Sequence, residues 1–220
     1  MRARRACLSV PASSLKFITK ATQIKVDELF FDLEDSVAPS EKATARQNIA
    51  QALPQMTFAA SSLGLRINGL HTPFFYQDVT GLVAEVGARL HSLIIPKVES
   101  ADEVRFIDRL LTLLEAERGF APLALELQIE TARGLQKVFE IAAASSRIEN
   151  LTFGPADMGA SLGLPTVTAG APLPGYEGLD HFHYVLSQIN VAAKSQGIQA
   201  IDGPYLQIRD LVGLRQAALR

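Results

Sequence analysis

One cysteine, Cys7, in 220 residues leaves no possibility of an internal disulfide. Arginines at positions 2, 4 and 5 are not followed by the long apolar run of a secretory leader. A reducing cytoplasm is therefore the expected compartment. No stretch approaches the roughly 20 uninterrupted apolar residues that span a bilayer, so no membrane partner is expected. Charge of one sign is also missing: the formal net charge is -2, and no global field draws the chain to nucleic acid. The glycines form neither a GxGxxG fingerprint nor a P-loop. His71, His91, His181 and His183 lack the HExxH spacing, which leaves zinc unsupported. Low-complexity tracts and interdomain linkers are absent, and one domain over residues 1–220 is the default.

What is present is an alternation of short apolar runs with segments of helical period. Strands are expected at 6–12, 28–34, 64–68, 92–97, 124–130, 148–154 and 199–203. Helices are expected at 14–23, 40–53, 75–90, 101–117, 132–144, 183–196 and 210–218. Runs such as LFFDL, LIIP and LTFG read as continuous apolar strands, the pattern of a parallel sheet covered on both faces. Repeated βα units admit a TIM barrel or an open doubly wound sheet. Polar residues decide between them. Nearly every strand ends in one: Glu34 with Asp35, Arg66 with Asn68, Lys97 with Glu99, then Glu130, Asp157 and Asp202. An open sheet needs such groups only beside its switch point, whereas a barrel collects them from every strand at one mouth. A TIM (β/α)8 barrel is therefore predicted, with seven strands counted and no eighth βα unit before Arg220. The proline- and glycine-rich loop 165–178 has the character of a lid.

Glu130 in ELQIETARG and Asp157 in FGPADMGASLG lie about one βα unit apart, which brings their carboxylates together at adjacent strand ends. Two carboxylates that close repel unless a proton or cation lies between them. Mg2+ fits such a site, because it takes oxygen ligands, one or two of them protein carboxylates. The alternative is ordinary: Glu130 pairs with Arg133, and Asp157 caps a short helix at Met158. Arg66 in GLRINGL points into the same mouth, where it can hold a carboxylate or a developing oxyanion, or bridge to Glu34 or Asp35. In the cluster Asp32, Glu34 and Asp35, alternation puts Asp32 and Glu34 on one face and Asp35 on the other. Their expected role is to tie Lys42, Arg46 or Lys97 to the mouth. Lys97 in IIPKVES could form a Schiff base only with a lowered pKa, and neighbouring carboxylates would raise it.

The segments LFFDLEDSVAPSEKATAR, LRINGLHTPFFYQDV, LIIPKVES, LQIETARGL, LTFGPADMGASLG and AIDGPY, in that order and spacing, resemble one branch of the HpcH/HpaI aldolase superfamily. That branch holds the citrate lyase β-subunits and the malyl-CoA and citramalyl-CoA lyases. The resemblance implies a TIM barrel, Mg2+ on Glu130 and Asp157, and Arg66 on the substrate's oxygens. It implies a Mg2+-dependent lyase that splits a 3-hydroxyacyl-CoA thioester into acetyl-CoA and a 2-oxo acid, working as a homotrimer. Lys16 and Lys20 in SSLKFITKA correspond best to the basic positions that hold coenzyme A, and Glu34 is the first candidate for the base. Two departures stand out: Ser9-Val10-Pro11-Ala12 replaces the usual aromatic-VPG, and the eighth strand and C-terminal cover of the family do not follow. Three other readings stay open: an aldolase of free hydroxy-oxo acids, a citrate lyase complex subunit working on a carrier-bound thioester, and a non-catalytic thioester-binding barrel.

Overall fold

The computed structural model describes residues 2–164, 181–207 and 209–219. The expected lid, 165–178, lies outside the described residues. Seven strands form one parallel sheet in chain order: β1 (Cys7–Pro11), β2 (Glu28–Asp32), β3 (Ser62–Arg66), β4 (Ser92–Ile95), β5 (Ala124–Ile129), β6 (Ile148–Phe153) and β7 (Gln199–Ile201). Each strand pairs with its sequence neighbour, so there is no order reversal and no switch point. The winding is that of a barrel. Closure is not observed: among the described residues β1 pairs only with β2, and β7 only with β6. The sheet is a curled half-barrel.

Every expected strand is present, but most end earlier than the apolar pattern predicts, so that Glu34, Asn68, Lys97 and Glu130 fall in the loops just beyond. The strands are also less uniformly apolar than they read. Leu29, Phe31, Leu63, Leu65, Leu93, Ile95, Leu125, Leu127, Ile129, Leu151 and Phe153 form the buried layer beneath the helices. Residues of the opposite parity face the inside of the curl and are largely polar: Glu28, Asp32, Arg66, Ser92, Glu126, Gln128, Asn150 and Thr152. Gly64 belongs to this inner face, where a Cβ would press on Ser92, Phe30 and Ile94.

The helices begin where the sequence offers caps. Ser14 Oγ accepts the Phe17 N–H ahead of Leu15–Ala21, and Ser100 caps Ala101–Arg118, whose Glu103 carboxylate accepts the Glu99 N–H in return. Gly119, at φ 73°, ends that helix in the left-handed conformation glycine favours. Two expected helices are corrected. The segment expected at 75–90 is broken into Phe75–Gln77, a π-helical turn Asp78–Val83, Ala84–Val86 and the 3-10 turn Gly87–Arg89. The cause lies in Asp78, whose buried carboxylate accepts both the Asn68 N–H (2.9 Å) and its side-chain amide (2.6 Å) and pairs with Arg46 (2.9 Å). The helix expected at 132–144 divides at Lys137 into Ala132–Gln136 and Val138–Ala142. A short helix at Met158 is present as Pro155–Ser161, with proline at its first position.

Opposite the mouth, a buried ionic knot closes the amino-terminal end of the sheet. Arg4 donates to Glu28 (3.2 Å), Glu126 (3.1 Å), Glu149 (2.6 Å) and Gln199 (3.3 Å), reaching β2, β5, β6 and β7 with one guanidinium. Only a curled sheet brings those strands within one side chain's reach. Burial and the neighbouring Glu126 carboxylate raise the Glu28 pKa well above the carboxylate range, against the lowering effect of Arg4. The folded state thus keeps a proton that the unfolded chain releases near pH 4.5. The stability this proton contributes is full below that pH and is lost as pH rises through the folded-state value. Denaturant titrations from pH 5 to 9 should show the parent losing stability with rising pH. In Glu28→Gln, whose amide donates to Glu126 without titrating, the slope should flatten; an unchanged slope would assign it to other groups.

Candidate active site

The mouth is built from residues at or just past the carboxyl ends of β2 to β6. Asp32 and Arg66 are register partners on β2 and β3. The guanidinium grips the carboxylate with two parallel bonds, Nε to Oδ1 and Nη2 to Oδ2, both 2.7 Å. Asp32 is fully buried and also accepts the N–H groups of Glu34 (2.8 Å) and Ser36 (3.1 Å). Burial alone would raise its pKa, but Arg66 and these donors hold it below the ordinary value. Asp32 therefore fixes Arg66 rather than a lysine, while the expected tie between this acidic cluster and Lys97 is made by Glu34 and Asp35. Lys42 instead donates to the carbonyls of Leu33 (2.6 Å) and Glu34 (2.7 Å), and Arg46 serves Asp78. The remaining arm of Arg66, Nη1, faces Glu34 Oε2 (3.3 Å) and Gln128 Oε1 (3.4 Å).

Beside this arm, carboxylates gather around the ammonium of Lys97. Nζ lies 2.5 Å from Glu34 Oε1, 3.3 Å from Asp157 Oδ2 and 3.6 Å from Asp35 Oδ1. The Lys97 backbone N–H donates to Glu130 Oε1 at 2.8 Å. Asp35, expected on the opposite face from Glu34, joins the same ammonium because strict alternation stops where β2 ends. Burial of Glu130, 3% exposed, is the main force pushing its pKa up to about 7; Glu34 and Asp157 add to it and Lys97 opposes it. Burial likewise raises the Glu34 pKa, against the pull of Arg66 and Lys97. Lys97 is raised well above the lysine range by Glu34 and its neighbours despite its own burial, which is the wrong direction for a Schiff-base lysine.

The structure brings Glu34, Arg66, Glu130 and Asp157 together, as the sequence pattern predicts. Of their ordinary alternatives, the bridge from Arg66 to Glu34 does form (3.3 Å), while those of Glu130 and Asp157 do not. Arg133 approaches Glu99 (3.8 Å) rather than Glu130, and Thr131 caps its helix by accepting the Gly134 N–H. Asp157 sits in the first turn of Pro155–Ser161 without capping it. Lys16 and Lys20 stand apart from the carboxylates, exposed and one turn apart on Leu15–Ala21. Lys20 borders a shallow depression of about 260 Å³ against β1, floored by Leu8, Val10, Pro11, Phe17 and Ile24. Asn68 belongs to the Asp78 knot, and Asp202 accepts the next residue's N–H.

Residues 5–220 match the sequence model of the HpcH/HpaI aldolase/citrate lyase family. The chain belongs to that family. An L-malyl-CoA/beta-methylmalyl-CoA lyase of Cereibacter sphaeroides is 39% identical over 228 residues, covering 100% of this chain and 72% of that protein. The citrate lyase subunit beta of Leuconostoc mesenteroides subsp. cremoris is 31% identical over 96% of this chain and 67% of its own. In three dimensions, the citrate lyase beta subunit of M. tuberculosis, complexed with oxaloacetate and magnesium, superposes with a TM-score of 0.74. It is 28% identical, over 96% of this chain and 83% of that one.

Within this family fold, the mouth can be tested for a magnesium ion. Its donors are all carboxylate oxygens, with no thiolate or imidazole among them, which is the chemistry of a hard cation. A cationic group, the Lys97 ammonium, already rests among them and marks where negative potential collects. Among the described residues no three His, Cys, Asp or Glu side chains enclose a metal by themselves. Glu130 and Asp157 would supply the one or two protein carboxylates that Mg2+ commonly takes. The residues fit.

Sequence reasoning missed the partner of Asp32 and the role of Gly154. The first was legible in principle, because Asp32 and Arg66 occupy matching positions on consecutive strands. Gly154, just before the Pro-Ala-Asp turn, lies so close to Glu130 that a Cβ would collide with its carboxyl group. That close approach has no signal in a single sequence beyond the glycine itself.

Proposed function

We propose that the chain is a single catalytic domain that cleaves a 3-hydroxyacyl-CoA thioester, of the malyl-CoA or citramalyl-CoA type, to acetyl-CoA and a 2-oxo acid. The observation that carries this reading is the meeting of a carboxylate-anchored guanidinium, Arg66, with the buried carboxylates Glu130 and Asp157 at one mouth. The named malyl-CoA lyase and citrate lyase relatives support the reaction class. Glu130 and Asp157 would hold the Mg2+, which when bound supplies Lewis acidity to the hydroxy-acid end of the substrate. Glu34, with its raised pKa, takes the hydroxyl proton that starts the retro-aldol cleavage. The carbon–carbon bond breaks, the hydroxyl carbon becoming the carbonyl of the 2-oxo acid and the electron pair becoming the enolate of the departing thioester. That enolate takes up the proton held by Glu34 to give acetyl-CoA. Arg66, pinned by Asp32, offers Nη1 to the enolate oxygen, whose charge develops only as the bond breaks.

Lys16 and Lys20 serve as the phosphate handle for coenzyme A, beside the apolar depression against β1. The working form is a homotrimer, a reading supported by the edges of β1 and β7, unpaired among the described residues, and by the exposed Leu211, Val212 and Leu219. The compartment is cytoplasmic, a reading supported by the lone free Cys7. The test is to incubate the protein with Mg2+, acetyl-CoA and a panel of 2-oxo acids. Condensation supports the lyase; turnover of unacylated substrates alone replaces it with a free-acid aldolase; turnover only of a carrier-bound thioester replaces it with a citrate lyase subunit. Lys16→Ala and Lys20→Ala together should raise the acetyl-CoA dissociation constant by about tenfold and flatten its salt dependence, since phosphate contacts at the surface are screened. Unchanged binding would move the thioester handle elsewhere.

A further inference from the structure

We propose that Lys97 is a built-in counter-cation that competes with the divalent metal for the carboxylates at the mouth, and so sets the Mg2+ concentration at which the site fills. The inference rests on Glu130 and Asp157 being the metal's anchors, and it assigns to Lys97 a positioning role acting through them. Three observations carry it.

The first is geometry. Side chain and backbone of this one residue touch the whole cluster: Nζ reaches Glu34, Asp157 and Asp35, and the N–H holds Glu130. An ammonium within contact of an Asp157 oxygen and a divalent ion on the same carboxylate repel each other, so each weakens the other's hold. Mg2+ therefore binds against the ammonium.

The second is conformation. Lys97 is the only non-glycine residue among those described with a positive φ, 52°. A left-handed conformation strains a lysine backbone as it does not strain a glycine. The strained backbone aims the N–H at Glu130 and turns the side chain back over Glu34. A salt bridge for stability alone does not require this arrangement.

The third is freedom to move. Arg66, the other cation at the mouth, is locked to Asp32 by two bonds and is 14% exposed. The Lys97 side chain is 33% exposed, so part of it already lies in water. Before the metal binds, its ammonium limits the repulsion among Glu34, Asp35, Glu130 and Asp157; afterwards that task passes to the ion.

The experiment is calorimetric titration of Mg2+ into the parent, Lys97→Met and Lys97→Gly, with thermal melting at several Mg2+ concentrations. Methionine keeps the volume without the charge. Glycine also relieves the backbone, so Lys97→Gly does not fail to fold through strain. Both variants should bind Mg2+ at least tenfold more tightly than the parent, and the rise in melting temperature produced by a fixed Mg2+ concentration should be larger in both. A purely structural ammonium predicts the reverse, since carboxylates left without their tie splay apart and bind the ion less well. If the parent binds Mg2+ and neither variant binds it more tightly, this inference fails while the metal site stands. If the parent binds no Mg2+, the site itself is wrong and the inference falls with it.

Discussion

Glu130→Gln is expected to weaken Mg2+ binding by about a hundredfold and to lower lyase turnover by about three orders of magnitude. The substitution keeps shape and volume at a position that is 3% exposed, and the side-chain oxygen can still accept the Lys97 N–H. It removes only the charge. Glutamine also relieves the crowding of like charges with Glu34 and Asp157 that, together with burial, holds Glu130 up at about 7, so the variant should fold at least as stably as the parent. Loss of metal affinity with an intact melting temperature is the signature of a ligand; loss of both would mark Glu130 as a packing residue. Calorimetry and thermal melting on one preparation separate the two.

The second large effect belongs to the opposite end of the sheet. Arg4→Met should destabilise the protein by about 3–5 kcal/mol, the usual result of stripping one partner from a buried ionic group. The Arg4 side chain is 1% exposed, and its loss strands Glu28 and Glu126, also buried, together with the partly buried Glu149. For a chain of this length the melting temperature should fall by roughly 10 °C. Arg4→Lys should recover little, since one ammonium cannot reproduce a fork with separate arms toward Glu28, Glu126 and Gln199. A melting temperature within a degree or two of the parent would show that the carboxylates take up protons or water at no cost. Metal affinity at the mouth should be unchanged.

The two ends of the sheet were not equally legible. The mouth was written in the sequence because its residues follow apolar runs: a strand that must stop and deliver a charge to solvent looks like LFFDLED or LQIE. The base was not, because Arg4 precedes the first strand with no pattern of its own, and Glu28 and Glu126 read as stray charges in otherwise apolar runs. Period-2 alternation was hidden in the same way, since leucines and phenylalanines under the helices dominate each run and the polar inner face reads as interruption. The broken helix at 75–89 depends on Asp78 turning inward to Asn68, a tertiary contact that helical periodicity cannot report. Within the mouth the residue types were evident, but their partners were not. Whether Arg66 meets Asp32, Glu34 or Asp35 depends on strand register, and Lys97's reach depends on a backbone angle that lysine rarely adopts.

The Arg4 knot also bears on the order in which the molecule assembles. Its hydrogen bonds join residues 24, 122, 145 and 195 positions apart. Contacts of such separation form late, because loop closure must precede the gain from making them. Arg4 leaves the ribosome long before Gln199 exists, and until Glu126 has been made it can meet only Glu28. The β1–β2–β3 segment therefore has to persist without its final lock until β6 and β7 dock, and a slow refolding phase sensitive to Arg4→Met, with helix formation unaffected, is the kinetic mark this leaves.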